Sequence, residues 1–510
     1  MRKILLLAVT TLMAVISVQA QRRGCIHRSA TTRGSCLHLL PEPYDFDAQK
    51  SYRVPVVLFS FNDLDFSMDN PAAYYDRLFN EKGFNEGMGL GCVADYFRDQ
   101  SAGRLNLAFD IYGPVKIDKG VHDHIDFDDG WGDMRKALEL LPGTTNADFS
   151  VYDWDGDGKV NEVVFVAAGL IGNTINGKSY LIPNSYSQIP NSKLPGSIDY
   201  NFYSLICERI YGDFLSGIGT IVHEFCHSLG LPDLYPQGSG TAFSAVDEWD
   251  LMDGGNFTNY GWCPPNLSAM ERMFLGWATP EELKKPATIE GMKSLSEGGK
   301  TYLVRSTGNS NEYYLLENRQ QTGWDYGCPG NGLLIYHVDF DRDAWLNNDV
   351  NTDDKDRYGQ IQDRYGLFHA SGMDYRAWCP KNNGLDLTRW TEPNWLRSRY
   401  LSTSAYPYTN PTTLDVKNSL TDKSSPAATL FTPAANGRRF MGKPITNIRQ
   451  AADGTISFDF MKNSDTGIET MSDVGSQMAD AWYTINGVKL SEKPTKKGLY
   501  INGGRKVVTE

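Results

Sequence analysis

The run HEFCHSLGLPD, which begins at His223, constrains this chain more than any other segment. Two histidines four residues apart face the same way only on a helix, since a strand alternates its side chains every two residues. On one helical face, His223 and His227 have the spacing with which a protein grips one zinc ion through two ring nitrogens. Glu224, between them, can reach a water on such an ion and take its proton. Gly230 can end the helix, because glycine readily adopts the left-handed conformation that turns a chain back at a helix C-terminus. That turn brings Asp233 toward the same place as a third, oxygen ligand. The segment predicts a zinc site of the peptidase type, with His223, His227 and Asp233 as ligands and Glu224 as general base.

The surrounding residues support a helix over 216–229. Ile218, Ile221, Val222, Phe225 and Leu229 fall on one broad face, roughly opposite the histidines, at about 100° per residue. Ser216, Gly219, Thr220 and Gly230 lie near the histidine side and are small, which predicts a face left open for metal and substrate. Cys226 flanks the apolar stripe, so a packed thiol or a disulfide is expected there rather than a nucleophile.

Composition narrows the classes. The chain has 510 residues, 41% of them hydrophobic, ample for a large core with accessory modules. Its net charge of -13 argues against a nucleic-acid partner. Residues 1–20 combine a basic start, an apolar run and a small-residue end at Ala20, the pattern of a signal peptide. No cysteine follows at the next position, and no later stretch is apolar for long enough to span a bilayer. A secreted, extracellular or surface-associated protein is expected. The eight cysteines fit an oxidising compartment, and their pairing is left unassigned.

Along the chain, 53–61 (RVPVVLFSF) reads as a buried strand and 92–100 as an amphipathic helix. Residues 104–112 read as a half-buried strand, and 160–169 as an apolar one. Residues 170–203, rich in Asn, Ser, Gly and Pro, are expected to be loops with one short strand at most. Strands leading into the histidine helix imply an α/β catalytic domain with its site along a sheet edge.

A second metal site is expected at Asp153, Asp155, Asp157 and Asn161. Their alternation, with Gly158 at the sixth position, copies the first half of an EF-hand loop, and the like charges call for a cation. The twelfth position is Val164, so Glu162 would serve only with a different loop geometry. This predicts a structural calcium ion, not a sensor. Farther on, EWDLMDGG from Glu248 places Met252 in a tight Gly-bounded turn, the position of the Met-turn beneath a metzincin zinc.

These segments resemble the M6 (immune inhibitor A-like) family of zinc metalloproteases. The resemblance is carried by HEFCHSLGLPDLY, EWDLMDGG, PPNLSAMERMFLGW from Pro264 and CVADYFRDQSAGRLNL from Cys92. It extends to YDWDGDGKVNEVVFVAAG from Tyr152, EYYLLENRQQTGWD from Glu312 and GNGLLIYHVDFD from Gly330. It implies a secreted zinc endopeptidase of metzincin-like α/β (α+β) fold acting on protein or peptide substrates, with His223 and His227 on zinc and Glu224 as base. Asp233 stands where many metzincins have a third histidine. Gly254 occupies the place of the tyrosine that often holds the oxyanion in such enzymes.

The expected organisation is a signal peptide over 1–20, a propeptide-like N-terminal segment over 21–50 and a catalytic domain over 51–280. A β-rich part of the protease unit follows over 281–462, with strands at 288–305, 312–318, 332–339 and 444–461. Glu317 and His337, inside those strands, are read as cross-strand hydrogen-bonding residues. A polar linker over 463–480 precedes a small β module over 481–510 with Asn-Gly turns. That module is similar to the C-terminal sorting or surface-attachment modules of Bacteroidota secreted proteins, which implies secretion or attachment machinery as a partner. Two other classes compete with the peptidase: a zinc amidohydrolase acting on non-protein material, and a catalytically silent surface adhesin on the same fold.

Overall fold

A computed structural model describes residues 43–121, 130–170, 184–187, 189, 191–210, 214–235, 245–355, 361–373 and 400–462. Near the C-terminus it describes residues 482–484, 489–490, 494–495, 498–502 and 505–509. The expected signal peptide, Cys25, Cys36, Cys379 and the linker over 463–480 lie outside the described residues. The chain forms two compact units, Met1–Met461 and Lys462–Glu510.

The first unit begins with a six-stranded sheet. Its strands are β1 (Tyr52–Ser60), β2 (Leu107–Lys116), β3 (Val160–Leu170), β4 (Asn184–Ser187), β5 (Tyr200–Ile210) and β6 (Phe214–Leu215). The order is β2-β1-β3-β5-β4, with β6 on β5. The neighbours from β2 to β5 run parallel, whereas β4 and β6 run antiparallel to β5. Parallel strands are covered on both faces and so read as nearly unbroken apolar runs, as β1 and β3 do. Alternation then feeds two cores. Val54, Val56, Leu58, Val164, Val166 and Ile206 face one; Val57, Phe59, Val163, Phe165 and Leu205 face the other.

Helices α1 (Pro71–Asn80), α2 (Val93–Gln100) and α4 (Gly219–Ser228) contribute Leu78, Phe97 and Phe225 to the first core. Helix α3 (Trp131–Leu140) contributes Met134 and Leu138 to the second. Helix α2 starts at a capping box in which Asp95 N donates to Cys92 Sγ and Cys92 N to Asp95 Oδ2, both at 3.3 Å. Strand β5 was not expected from the sequence: it begins inside the stretch read as loop and runs on to Ile210.

Downstream, β7 (Glu281–Glu282), β8 (Ala287–Met292), β9 (Tyr302–Arg305), β10 (Glu312–Arg319) and β11 (Gly332–Asp339) build a second layer. The sheet runs from the strand Tyr365–Leu367 through β11, β10 and β9 to β7. Strand β8 instead pairs with the hairpin Ile445–Gln450 and Ile456–Phe460. One face of the second sheet, with Leu315, Leu334, Tyr336 and Val338, joins the core that holds α4. Its other face, with Tyr314, Leu316, Leu333 and Ile335, packs on the hairpin. Helix α4 is thus buried among residues from both sheets.

In the second unit the strands Lys489–Leu490, Trp482–Thr484, Gly498–Asn502 and Arg505–Thr509 form an antiparallel sheet in that order. Among the described residues no helix is long and apolar enough to cross a membrane. The mixed α/β character expected from the sequence is present.

Candidate active site

Helix α4 has no side-chain cap at its start. The loop beside it does that work, with Gly217 N donating to the Tyr260 carbonyl (3.1 Å) and Gly219 N to the Gly261 carbonyl (2.7 Å). Gly219 is small because the chain passes very close: a Cβ there would stand 2.1 Å from the Asn256 carbonyl oxygen. This corrects the expectation of an open face. Every residue of α4 is buried, and Gly219 admits neighbouring backbone rather than solvent.

The helix ends as the sequence predicts. Gly230 adopts φ +98°, Gly230 N donates to the His227 carbonyl, and Leu231 N donates to the Cys226 carbonyl, each at 3.0 Å. This pair of bonds is a Schellman motif. It also delivers the Leu231 carbonyl to His227 Nδ1 at 2.8 Å. His223 Nδ1 meets the Leu251 carbonyl at 2.9 Å. A carbonyl can only accept, so each Nδ1 carries a proton and Nε2 is the ring nitrogen left to give up its proton to a metal, the arrangement a metal-binding histidine needs.

Asp233 closes the group. Its Oδ1 lies 3.3 Å from His223 Nε2 and 3.3 Å from His227 Nε2. Atoms held about 2.0–2.1 Å from a tetrahedral zinc ion stand about 3.3 Å apart, so Asp233 Oδ1 has from each histidine nitrogen the spacing of two ligands of one such ion. His227 Nε2 is buried and makes no hydrogen bond. Glu224 is fully buried, and one carboxylate oxygen comes within 4.8 Å of a ring nitrogen of each histidine. Burial alone would lower the pKa of His223, yet the hydrogen bond to Asp233 and the charges of Glu224 and Asp233 outweigh it and raise it to about 9. Two imidazoles with two carboxylates beside them are a donor set that fits a divalent cation.

The loop carrying Met252 ties this group together. Met252 is fully buried. Its N–H donates to Asp250 Oδ1 at 2.9 Å, and its carbonyl accepts Leu234 N at 2.8 Å. The preceding carbonyl, of Leu251, is the one that orients His223. Cys226 is a buried thiol whose pKa burial pushes well above its ordinary value, which removes it as a nucleophile.

The acidic loop is arranged differently from the sequence expectation in part. Carboxylate oxygens of Asp153, Asp155 and Asp157 lie within 4.8 Å of one another. Asp153 accepts Gly156 N (2.7 Å) and Gly158 N (2.8 Å), and Asp157 accepts Lys159 N (2.8 Å). Asn161 turns its Oδ1 to Trp154 N (2.6 Å) and its amide nitrogen to Asp155 Oδ2 (3.3 Å). Glu162 leaves the loop and enters the core, where its Oε1 accepts from Ser204 Oγ at 2.6 Å. Burial holds its carboxyl well above the usual range, with Glu224 adding to the shift.

His337 makes the expected cross-strand bond, whereas Glu317 bonds within its own strand and to the backbone at Ala269. Glu317 Oε1 accepts from Arg319 Nε at 2.9 Å, and His337 Nε2 meets Glu312 Oε1 at 2.8 Å. Sequence reasoning missed Trp345, Asn348 and Asn351, which bond to the 230–234 segment. A separation of about 115 residues leaves no local pattern to read.

Residues 212–278 match the catalytic-domain model of the immune inhibitor A peptidase M6 family. The chain is also 23% identical, over 240 residues, to the pre-pro-metalloprotease PrtV of two strains of Vibrio cholerae serotype O1. The alignment covers 40% of this chain and 26% of each relative, so the chain spans about a quarter of their length. The match falls on the segment that carries His223, Glu224, His227, Asp233 and Met252, and together these findings support an M6-family metalloprotease.

Proposed function

We propose that this chain is a secreted zinc-dependent endopeptidase in which His223, His227 and Asp233 hold the metal and Glu224 is the general base. The observation that carries the reading is the 3.3 Å spacing of Asp233 Oδ1 from both histidine Nε2 atoms. A zinc ion bound there would supply a Lewis acid that acidifies water and polarises a peptide carbonyl. The residues of the chain do the rest. The Leu251 and Leu231 carbonyls keep both imidazoles in the metal-binding tautomer. Glu224 takes a proton from the attacking water at its carboxylate and passes it to the leaving amine. Met252 packs at the loop that sets His223 and Leu234, in keeping with a Met-turn.

The test is hydrolysis of casein by the purified protein with and without a zinc chelator. The peptidase reading expects cleavage that chelation abolishes and added zinc restores. The amidohydrolase alternative expects intact casein with cell-wall material cleaved, and the adhesin alternative expects neither. A structural calcium ion at Asp153, Asp155 and Asp157 has less support, since backbone N–H groups already satisfy much of that loop. Calcium titration of chelator-treated protein, read by melting temperature, tests it.

A further inference from the structure

We propose that Asn348 is a positioning residue for the metal centre, holding Asp233 so that one carboxylate oxygen serves the ion. The proposal rests on the reading of Asp233 as a metal ligand. Asn348 and Asp233 lie 115 positions apart and make two opposed bonds. Asp233 N donates to Asn348 Oδ1 at 2.6 Å, and Asn348 Nδ2 donates to Asp233 Oδ2 at 2.7 Å. A primary amide offers a donor and an acceptor on one planar group, so it can hold backbone and carboxylate together. A carboxylate at 348 would lack the donor. With Oδ2 engaged, the carboxylate plane is set and Oδ1 is the atom that faces His223 and His227.

Asn348 is itself held by the way its helix ends. Helix α5 (Arg342–Leu346) is capped by Asn347, and Asn348 follows at φ +55°. Asn348 N donates to the Trp345 carbonyl (3.2 Å) and Asp349 N to the Ala344 carbonyl (2.8 Å). That is a second Schellman motif, and the left-handed position it needs favours glycine first and asparagine next. The same turn is flanked by Trp345 Nε1 donating to the Gly230 carbonyl (3.1 Å) and Asn351 Nδ2 to the Leu234 carbonyl (2.8 Å). Two helix-ending turns thus meet, one carrying the metal-ligating carboxylate and the other its clamp. Glycine would satisfy the turn better than asparagine does, so the turn alone does not account for an asparagine at 348. The clamp does.

This difference gives the test. Asn348→Gly keeps the left-handed turn and deletes both bonds to Asp233. Trp345→Phe deletes a bond to the same segment without touching Asp233. Full-length wild type, these two variants, Asn348→Asp and Asp233→Ala would be titrated with zinc against a chromophoric chelator, and with cobalt for its absorption spectrum. Expected are a zinc affinity about 10–100-fold weaker for Asn348→Gly, an altered cobalt spectrum, and near-wild-type values for Trp345→Phe. Asn348→Asp, which retains an acceptor and the turn but sets a second carboxylate against Oδ2, is expected to weaken zinc as well, and it decides the matter if the glycine variant does not fold. Wild-type affinity and spectrum in the Asn348 variants, with zinc lost in Asp233→Ala, would overturn the clamp and leave the ligand reading standing. An equal loss in Trp345→Phe would overturn it too, by assigning the effect to loop packing. Wild-type zinc binding in Asp233→Ala would remove the ligand reading itself.

Discussion

Arg319 offers a quantitative test of how the two sheets hold the site. Its guanidinium is fully buried, 2.9 Å from Glu317 Oε1 and 2.7 Å from Asp325 Oδ1. Burial opposes its charge, but the two carboxylates outweigh burial and hold the proton on. Arg319→Ala leaves two buried carboxylates without their cation, a change that costs about 3–5 kcal/mol. The apolar substitution that is often neutral for a buried ion pair is not available here. Glu317 Oε2 also accepts Ala269 N and Asp325 Oδ1 accepts Asn266 N, each at 2.9 Å, and losing such an acceptor costs about 1–3 kcal/mol per orphaned group. Unfolding entropy of about 2.1 cal/mol/K per residue over a unit of about 460 residues gives roughly 1 kcal/mol/K, so the melting temperature should fall by about 4 °C. Adding Glu317→Gln and Asp325→Asn to Arg319→Ala keeps the amide acceptors and removes the stranded charge, and should recover about half the loss or more. Thermal melting of the three proteins decides it. An Arg319→Ala variant that melts with wild type, or a triple variant no better than the single one, would refute the reasoning.

Three further outcomes follow from particular contacts. Gly219→Ala would stabilise an exposed helix by about 1 kcal/mol, but its methyl here meets the Asn256 carbonyl, so a loss of about 1–3 kcal/mol is expected on melting. Alkylating reagents applied to the native protein, and Cys226→Ala, should leave hydrolysis nearly unchanged because the thiol is buried and protonated; inactivation by alkylation at Cys226 would contradict this. Burial and the charge of Asp250 raise the Glu271 carboxyl well above its ordinary value, and burial raises Asp250 as well. The native state then keeps a proton that the unfolded chain releases above about pH 4.3. The pair's contribution is therefore full below that pH and declines as pH rises through the native value. Glu271→Gln should flatten this dependence above the ordinary carboxylate range, and an unchanged melting profile would count against it.

What was legible in the sequence is what is local. The spacing of His223, Glu224 and His227 and the glycine at 230 are set within one helix and its terminal turn, and both follow from backbone geometry alone. Strands β1, β3, β10 and β11 were readable because burial on both faces writes continuous apolar runs. Strand β5 was not, since it emerges from an Asn- and Pro-rich stretch and carries Glu208 and Arg209 near its end. The charge of Glu208 is accommodated by Ser67 N, Ser67 Oγ and Gly169 N, partners far off in the chain. The same limit explains the misread open face of α4. Its amphipathic pattern is real, but the chain at 256–261 folds back onto its glycines. Glu162 shows it again: the sequence allows it as a ligand only under a different loop geometry, and what settles its place is Ser204, far off in the chain.

The central claim is that Glu224 acts as the base beside a metal held by other residues. Glu224→Gln preserves shape and leaves His223, His227 and Asp233 in place. Zinc content and casein hydrolysis measured on the same preparation separate binding from chemistry. The account predicts one zinc per chain in both proteins, with the turnover of Glu224→Gln reduced by about 10²–10⁴-fold. Zinc retained with turnover near that of wild type would contradict it.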